Sequence, residues 1–177
     1  MISFGIAPAL LAYSWSLSIY GKWGWIVAFL FVLCGALRLA RFNIQIGIIE
    51  SNVFNGLPIP AAASVVATMV IFFSSDYVGV EGKFNNIFIM IFVIIVSLLM
   101  VSGVKYYSFK DMKLFARKPF TVFFWSTVLL IIIVAEPEIM FFVIILGYAI
   151  SGPVWWVIKI DRQKRQKAKE KKNNVRI

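Results

Sequence analysis

The residues best suited to chemistry form a short basic segment, Leu37 to Asn43, which reads LRLARFN. Arg38 and Arg41 are three residues apart, and on a helix this spacing places both guanidinium groups on one face. Each planar group can form paired hydrogen bonds with phosphate oxygens. The spacing equally fits arginines that only anchor a membrane helix at the lipid headgroups. Asn43 could donate or accept a hydrogen bond at the same place, or cap the helix end.

Two further segments carry the glycine and proline residues that shape helix entrances. SFGIAPA covers residues 3–9, and GLPIPAAA covers residues 56–63. Each permits either a close approach of backbone to a ligand or only tight packing of small residues. Packing is the favoured interpretation for 56–63.

Several kinds of site are excluded by what the sequence lacks. It has no histidine, and its single cysteine, Cys34, cannot form a disulfide within the chain or a cysteine metal site. Walker, HExxH, GxSxG and glycine-rich dinucleotide motifs are missing, as are acidic pairs at metal-binding spacing. We therefore assign no catalytic residue and no metal ligand in this chain.

The elements that would position the arginines are predicted to lie in a membrane. The sequence is 61% hydrophobic with a mean hydropathy of +0.88, which is too apolar for a water-exposed surface. A bilayer core of about 30 Å needs roughly 20 helical residues. An all-α, polytopic membrane helix bundle over residues 1–160 is predicted, with six transmembrane helices at approximately 2–20, 23–42, 58–75, 86–104, 119–135 and 139–158.

The distribution of lysine and arginine predicts the orientation, because cytoplasmic loops retain positive charge. With both termini cytoplasmic, sixteen of the eighteen basic residues lie on the cytoplasmic side, and only Lys22 and Lys83 do not. The other side then carries the acidic residues Asp76, Glu81, Glu136 and Glu138. This topology brings Arg38, Arg41 and the two glycine–proline segments to one face, where a cytosolic phosphorylated substrate would arrive.

The carboxyl-terminal tail, residues 161–177, carries eight basic and two acidic residues without an apolar stripe. It is predicted to be disordered and cytoplasmic. The tail would fix the topology and attract anionic lipid, at about 1 kcal/mol per basic residue near the surface. Contact with a ribosome or RNA is the alternative for the tail, but no nucleic-acid partner is expected for the chain.

The predicted helices differ in composition. The first three are rich in glycine, alanine and serine, which lets helices approach closely in a bilayer. The last three consist mostly of isoleucine, valine, phenylalanine and leucine. We therefore expect a packed amino-terminal core beside a lipid-facing carboxyl-terminal flank.

Three segments in order, SFGIAPALL, CGALRLARFN and FNGLPIPAAA, resemble bacterial phosphatidylserine synthases of the CDP-alcohol phosphatidyltransferase family. The resemblance covers roughly residues 1–65. It implies transfer of a phosphatidyl group from CDP-diacylglycerol to L-serine with release of CMP, a divalent metal (Mg or Mn), a homodimer, and a multi-pass protein of the bacterial inner membrane. It also implies that Arg38, Arg41 and Asn43 face the substrate phosphates or the serine carboxylate.

The family's carboxylate motif, D-x-x-D-G-x-x-A-R followed by G-x-x-x-D-x-x-x-D, is missing from this chain. In relatives the segment that resembles Ser-Phe-Gly follows the last motif aspartate. We therefore expect residues 1–75 to be an incomplete domain, and Met1 to be an internal methionine or to follow an upstream frameshift. Open alternatives are a related synthase with another acceptor, such as glycerol phosphate or inositol phosphate, and an inactive fragment with a structural or lipid-binding role.

Overall fold

The computed structural model describes residues 1–45, 53–74, 86–107 and 119–174. A short π-helical turn, Ile2–Ile6, leads into α1, and a 3₁₀ turn, Leu17–Tyr20, precedes α2. The helices and strands are α1 (Ala7–Trp15), α2 (Lys22–Gln45), β1 (Val53–Asn55), α3 (Ile59–Ser74), α4 (Asn86–Val101), β2 (Lys105–Tyr107), α5 (Pro119–Ala135) and α6 (Pro137–Asn174). The all-α fold is confirmed, with one pair of three-residue strands added to it.

Of the six apolar helical segments in the described residues, two are long and apolar enough to cross a membrane, Lys22–Ile44 and Pro137–Ile158. Four apolar helices are shorter: Ile2–Trp15, Ile59–Ser74, Ile87–Val101 and Phe120–Ala135. A helix of 16 residues is about 24 Å long. The first predicted segment, 2–20, is interrupted at Ser16, where the backbone leaves the helical region. The apolar helices indicate that the protein associates with membranes.

The core lies where α1, α2, α3 and α4 pack together. Ala12, Phe31 and Val65 are completely buried there. About half of the small residues of the first three segments are buried, among them Ala9, Ala62 and Ala63, whereas Ala36 and Ala40 are exposed. The buried small side chains bring the helix backbones close together.

The prediction that the fourth segment faces lipid does not describe the whole of α4, because Ile91 and Ile95 are exposed but the other side of the helix is buried. α4 buries Ile89, Val93, Val96 and Met100, which recur every three or four residues and so form one stripe of the helix. This stripe packs against α2. Composition concealed it because lipid-facing and core-facing positions are both apolar.

The two strands form an antiparallel pair in which Phe54 lies opposite Tyr106 and Asn55 opposite Lys105. Gly56 follows β1 with a φ of 82°, a conformation that favours glycine. Its N–H donates to the Val104 carbonyl at 2.7 Å, and the Leu57 N–H donates to the Leu99 carbonyl at 3.1 Å. The segment that enters α3 is thus fixed to the carboxyl-terminal end of α4.

The prediction of a disordered tail is not what the structure shows, because α6 continues through Asn174. Lysine, arginine, glutamine, glutamate and alanine are all good helix formers, and a helix already formed adds further residues easily. Residues 175–177 lie outside the described part, as do the predicted loop residues Asp76, Glu81, Lys83 and 108–118.

Candidate functional site

Arg38 lies in the last two turns of α2 and is 9% exposed. Its Nη2 donates a hydrogen bond to the Gly56 carbonyl at 3.1 Å. Gly56 is the residue with positive φ that connects β1 to the entrance of α3. The side chain therefore ties α2 to the segment GLPIPAAA, which the sequence had placed at the same end of the bundle.

The Arg38 Nε is buried and has no hydrogen-bond acceptor among the described residues. A buried cationic donor without an acceptor is costly, because water is lost and nothing replaces it. Phosphate and carboxylate oxygens are the acceptors that a guanidinium group binds best. The unpaired Nε makes Arg38 the strongest candidate for contact with an anionic ligand in the described part of the chain.

Arg41 is one turn further on and partly exposed. Its Nη1 lies 3.4 Å from the carbonyl oxygen of Val101, the last residue of α4. Carbonyls at a helix end have no partner within the helix and carry partial negative charge, so a cation there is favourable. The long distance indicates a weak bond. The two arginines thus lie at one end of the bundle, and each gives one donor to the backbone.

Asn43 is exposed, and its side chain forms no hydrogen bond with another described residue. The segment SFGIAPA forms the π-helical turn and the start of α1, and this turn packs against α2 and α3. Met1 Cε would lie 3.5 Å from a Cβ at Gly35, one turn before Arg38. The three segments singled out by the sequence therefore do meet.

Sequence reasoning missed two tyrosines beside this site. Tyr106 of β2 is 1% exposed, and its hydroxyl donates to the Ala149 carbonyl of α6 at 2.9 Å. Its ring centroid lies 5.7 Å from that of Tyr148, which lies near Arg38. Burial, and then the neighbouring Tyr148, raise the pKa of Tyr106 to about 12, so its hydroxyl stays protonated at neutral pH. The signal in the sequence was the pair Gly152-Pro153 inside an apolar helix.

A groove of about 510 Å³ opens between the first turns of α3 and the middle of α6. Ala61 and Ser64 line one wall, and Ile144, Ile145 and Tyr148 line the other. The walls are largely aliphatic, which suits a hydrocarbon chain better than a polar ligand. Tyr148 places one end of this groove near the arginine site.

The divalent metal that the resemblance implies does not fit the residues present. Within the described ranges no group of three or more histidine, cysteine, aspartate or glutamate side chains could hold a metal ion. Glu136 and Glu138 lie at the α5–α6 junction, where the predicted topology places the opposite side of the membrane.

Comparison with known proteins identifies relatives of the chain. No family model matches the chain. It is 40% identical over 113 residues to a CDP-diacylglycerol–serine O-phosphatidyltransferase of Helicobacter pylori, covering 64% of this chain and 47% of the relative. An enzyme of the same name from Methanocaldococcus jannaschii is 34% identical over 158 residues, covering 89% of this chain and 66% of the relative. An archaetidylserine synthase of Methanothermobacter thermautotrophicus is 40% identical over 106 residues, covering 60% and 40%.

The chain spans about half the length of the Helicobacter relative. The similarity to the Methanocaldococcus protein reaches far beyond residues 1–65, since it takes in 89% of the chain. Several relatives at 34–40% identity carry the same enzyme name. The chain belongs to the phosphatidylserine synthase family.

Proposed function

We propose that the protein transfers a phosphatidyl group from CDP-diacylglycerol to the hydroxyl of L-serine. The observation that carries this proposal is the similarity over 158 residues to an enzyme named for that reaction. The bond that forms joins the serine oxygen to the phosphatidyl phosphorus. The bond that breaks joins that phosphorus to the oxygen of CMP, and the serine hydroxyl proton is released.

Arg38 is proposed to contact the substrate phosphates or the serine carboxylate, and its unpaired, buried Nε supports this role. The reaction redistributes negative charge over phosphate oxygens. A fixed guanidinium group in a site of low dielectric stabilises such charge strongly. Arg41 and Asn43 are proposed as weaker contacts to the same ligand, since both are more exposed. The aliphatic groove between α3 and α6 is suited to an acyl chain of the lipid substrate.

The test is serine-dependent release of CMP in detergent micelles or vesicles that contain CDP-diacylglycerol. The protein is expressed with whatever coding sequence precedes the Met1 codon in its gene, and the 177-residue chain is measured beside it. We expect CMP release with L-serine and not with glycerol phosphate or inositol phosphate. Release with one of those acceptors instead would assign a related synthase, and no release with any acceptor would favour the non-enzymatic, lipid-binding alternative.

Arg38→Gln tests the residue itself. Losing one preorganised charged donor lowers turnover by about a hundredfold to a thousandfold in comparable sites. Arg38→Lys keeps the charge but loses the planar fork, so we expect an intermediate loss. The melting temperature of each variant in detergent separates loss of the ligand contact from loss of the bond to Gly56. Wild-type turnover in Arg38→Gln would contradict the proposed role.

Six transmembrane helices with both termini in the cytoplasm of a bacterium are also proposed, since helices four to six residues short of the usual length of about 20 can be accommodated by local thinning of the bilayer. Cys34 is the only cysteine and is buried, so Cys34→Ala gives a background for labelling. New cysteines at Glu138 and Lys167 should react with an impermeant maleimide from opposite sides of the membrane. Labelling of both from the same side would overturn this topology. The homodimer remains a prediction, for which light scattering in detergent is the measurement.

A further inference from the structure

The middle of α6 contains a backbone acceptor that the helix itself cannot satisfy. Pro153 lies inside α6 and has no N–H, so the carbonyl four residues earlier, that of Ala149, loses its helical partner. An apolar surrounding makes an unsatisfied carbonyl costly. The Tyr106 hydroxyl, which comes from the strand pair, donates to this carbonyl at 2.9 Å.

The neighbouring residue, Gly152, provides the space that the tyrosine ring needs. A Cβ at Gly152 would collide with the Tyr106 ring. Gly152 is itself buried, so the ring fills the space left by the missing side chain. Gly152 and Pro153 together form a notch on α6, in which glycine admits the ring and proline frees the acceptor for its hydroxyl.

The notch is connected to Arg38 by two routes. Along the strand pair, Tyr106 lies opposite Phe54, two residues before Gly56, whose carbonyl accepts the Arg38 hydrogen bond. Across the rings, Tyr106 packs on Tyr148, which lies near Arg38. A shift of Tyr106 would therefore move both the acceptor and the aromatic neighbour of the arginine.

We propose that Tyr106 is a positioning residue for the phosphatidyl transfer, acting by docking in the Gly152–Pro153 notch and so fixing the Gly56 carbonyl and Tyr148 around Arg38. The effect of Tyr106 on catalysis rests on the proposed function. The docking of the strand pair on α6 does not depend on which reaction the protein catalyses. The two parts can therefore fail separately.

The docking is tested by hydrogen exchange of the backbone amides in residues 53–57 and 105–107, without substrate. Tyr106→Phe removes the hydroxyl and keeps the ring, and we expect faster exchange in both segments. Gly152→Ala should accelerate exchange further, because it expels the ring. Tyr20→Phe, which removes a tyrosine hydroxyl in the 3₁₀ turn before α2, is the control and should leave this exchange unchanged. Unchanged exchange in Tyr106→Phe would overturn the docking.

Pro153→Ala tests the reason for the hydrogen bond. It restores an N–H that can bond with the Ala149 carbonyl, so the hydroxyl becomes redundant. Tyr106→Phe should then accelerate exchange less in the Pro153→Ala background than in the wild type. Equal acceleration in both backgrounds would show that the freed carbonyl is not what holds Tyr106.

The positioning role is tested by kinetics of CMP release. We expect Tyr106→Phe to lower kcat/KM by about fivefold to tenfold, the size of one hydrogen bond expressed as a rate. In an Arg38→Lys background Tyr106→Phe should have little further effect, because the guanidinium group that Tyr106 positions is already absent. A full additional loss there would mean that Tyr106 is only structural. If the wild type itself releases no CMP, the proposed function fails, while the exchange result still decides the docking.

Discussion

α4 and α5 have nearly the same composition and opposite surroundings. Both are short helices built from isoleucine, valine, phenylalanine and leucine, with serine among them. α4 buries a stripe from Ile89 to Met100 against α2, whereas α5 contacts α6 and leaves Phe120 81% and Val134 70% exposed. The difference shows that in an apolar chain the partner of a helix, rather than its hydropathy, decides whether it belongs to the core.

The partner of α4 also explains why the arginine site lies where it does. α4 ends at Val101, and its last carbonyls lie beside Arg41 and the Gly56 segment. Among the described residues, the carboxyl-terminal end of α5 has no comparable contacts with an arginine or a strand segment, because it continues almost directly into α6 at Pro137. Substitutions near the end of α4 should therefore affect both stability and the site, while those on α5 should affect neither.

The largest effect is expected from Gly56→Ala, which disrupts the contacts between the Gly56 segment and the carboxyl-terminal end of α4. We call these contacts the closure of α4. A Cβ there would overlap the Met100 carbonyl and lie 3.0 Å from the Ser102 carbonyl, at a φ that disfavours alanine. We expect a loss of more than about 3 kcal/mol in the free energy of unfolding. Yield and melting temperature in detergent are the measurements. Gly103→Ala is the matched control, because a Cβ at Gly103 meets nothing within 4 Å; equal losses in the two variants would refute the closure.

A smaller effect is expected from replacing isoleucine by alanine, and its cost in unfolding free energy should differ between α4 and α5. Ile89 of α4 is 1% exposed, whereas Ile131 of α5 is 61% exposed. Ile89→Ala leaves a cavity and should cost about 2–5 kcal/mol. Ile131→Ala removes exposed atoms and leaves no cavity, so it should cost less than about 0.5 kcal/mol. Thermal unfolding in one detergent compares them, with Ile91→Ala on the exposed face of α4 as a second control. Equal costs at Ile89 and Ile131 would show that α4 does not form part of the core.

Much of this arrangement could be predicted from the sequence, and the rest could not for physical reasons. Runs of apolar residues located the helices of the described residues except for the basic extension of α6. The spacing of Arg38 and Arg41 placed both on one face of α2, and the charge distribution placed them at one end of the bundle. The burial of α4 was hidden because a hydropathy pattern has no contrast when core and solvent are both apolar. Tyr106 was hidden because its partner is a backbone carbonyl 43 residues away, freed by a proline whose effect depends on what packs beside it.

The smallest effect is expected at the exposed end of the arginine pair, and it tests whether the closure of α4 extends to its last carbonyl. Arg41→Gln removes a charge from the helix end and a bond of 3.4 Å, and such exposed interactions contribute about 0.3–1 kcal/mol. We expect a slightly lower melting temperature and a twofold to fivefold rise in KM for CDP-diacylglycerol, each about 1 kcal/mol or less. Ser126→Ala is the control, since Ser126 is exposed on α5 and should change neither quantity. An unaltered KM in Arg41→Gln would leave Arg38 as the ligand contact and Arg41 as a helix-end anchor, because the arginine that binds phosphate must then be the buried one with the unpaired Nε.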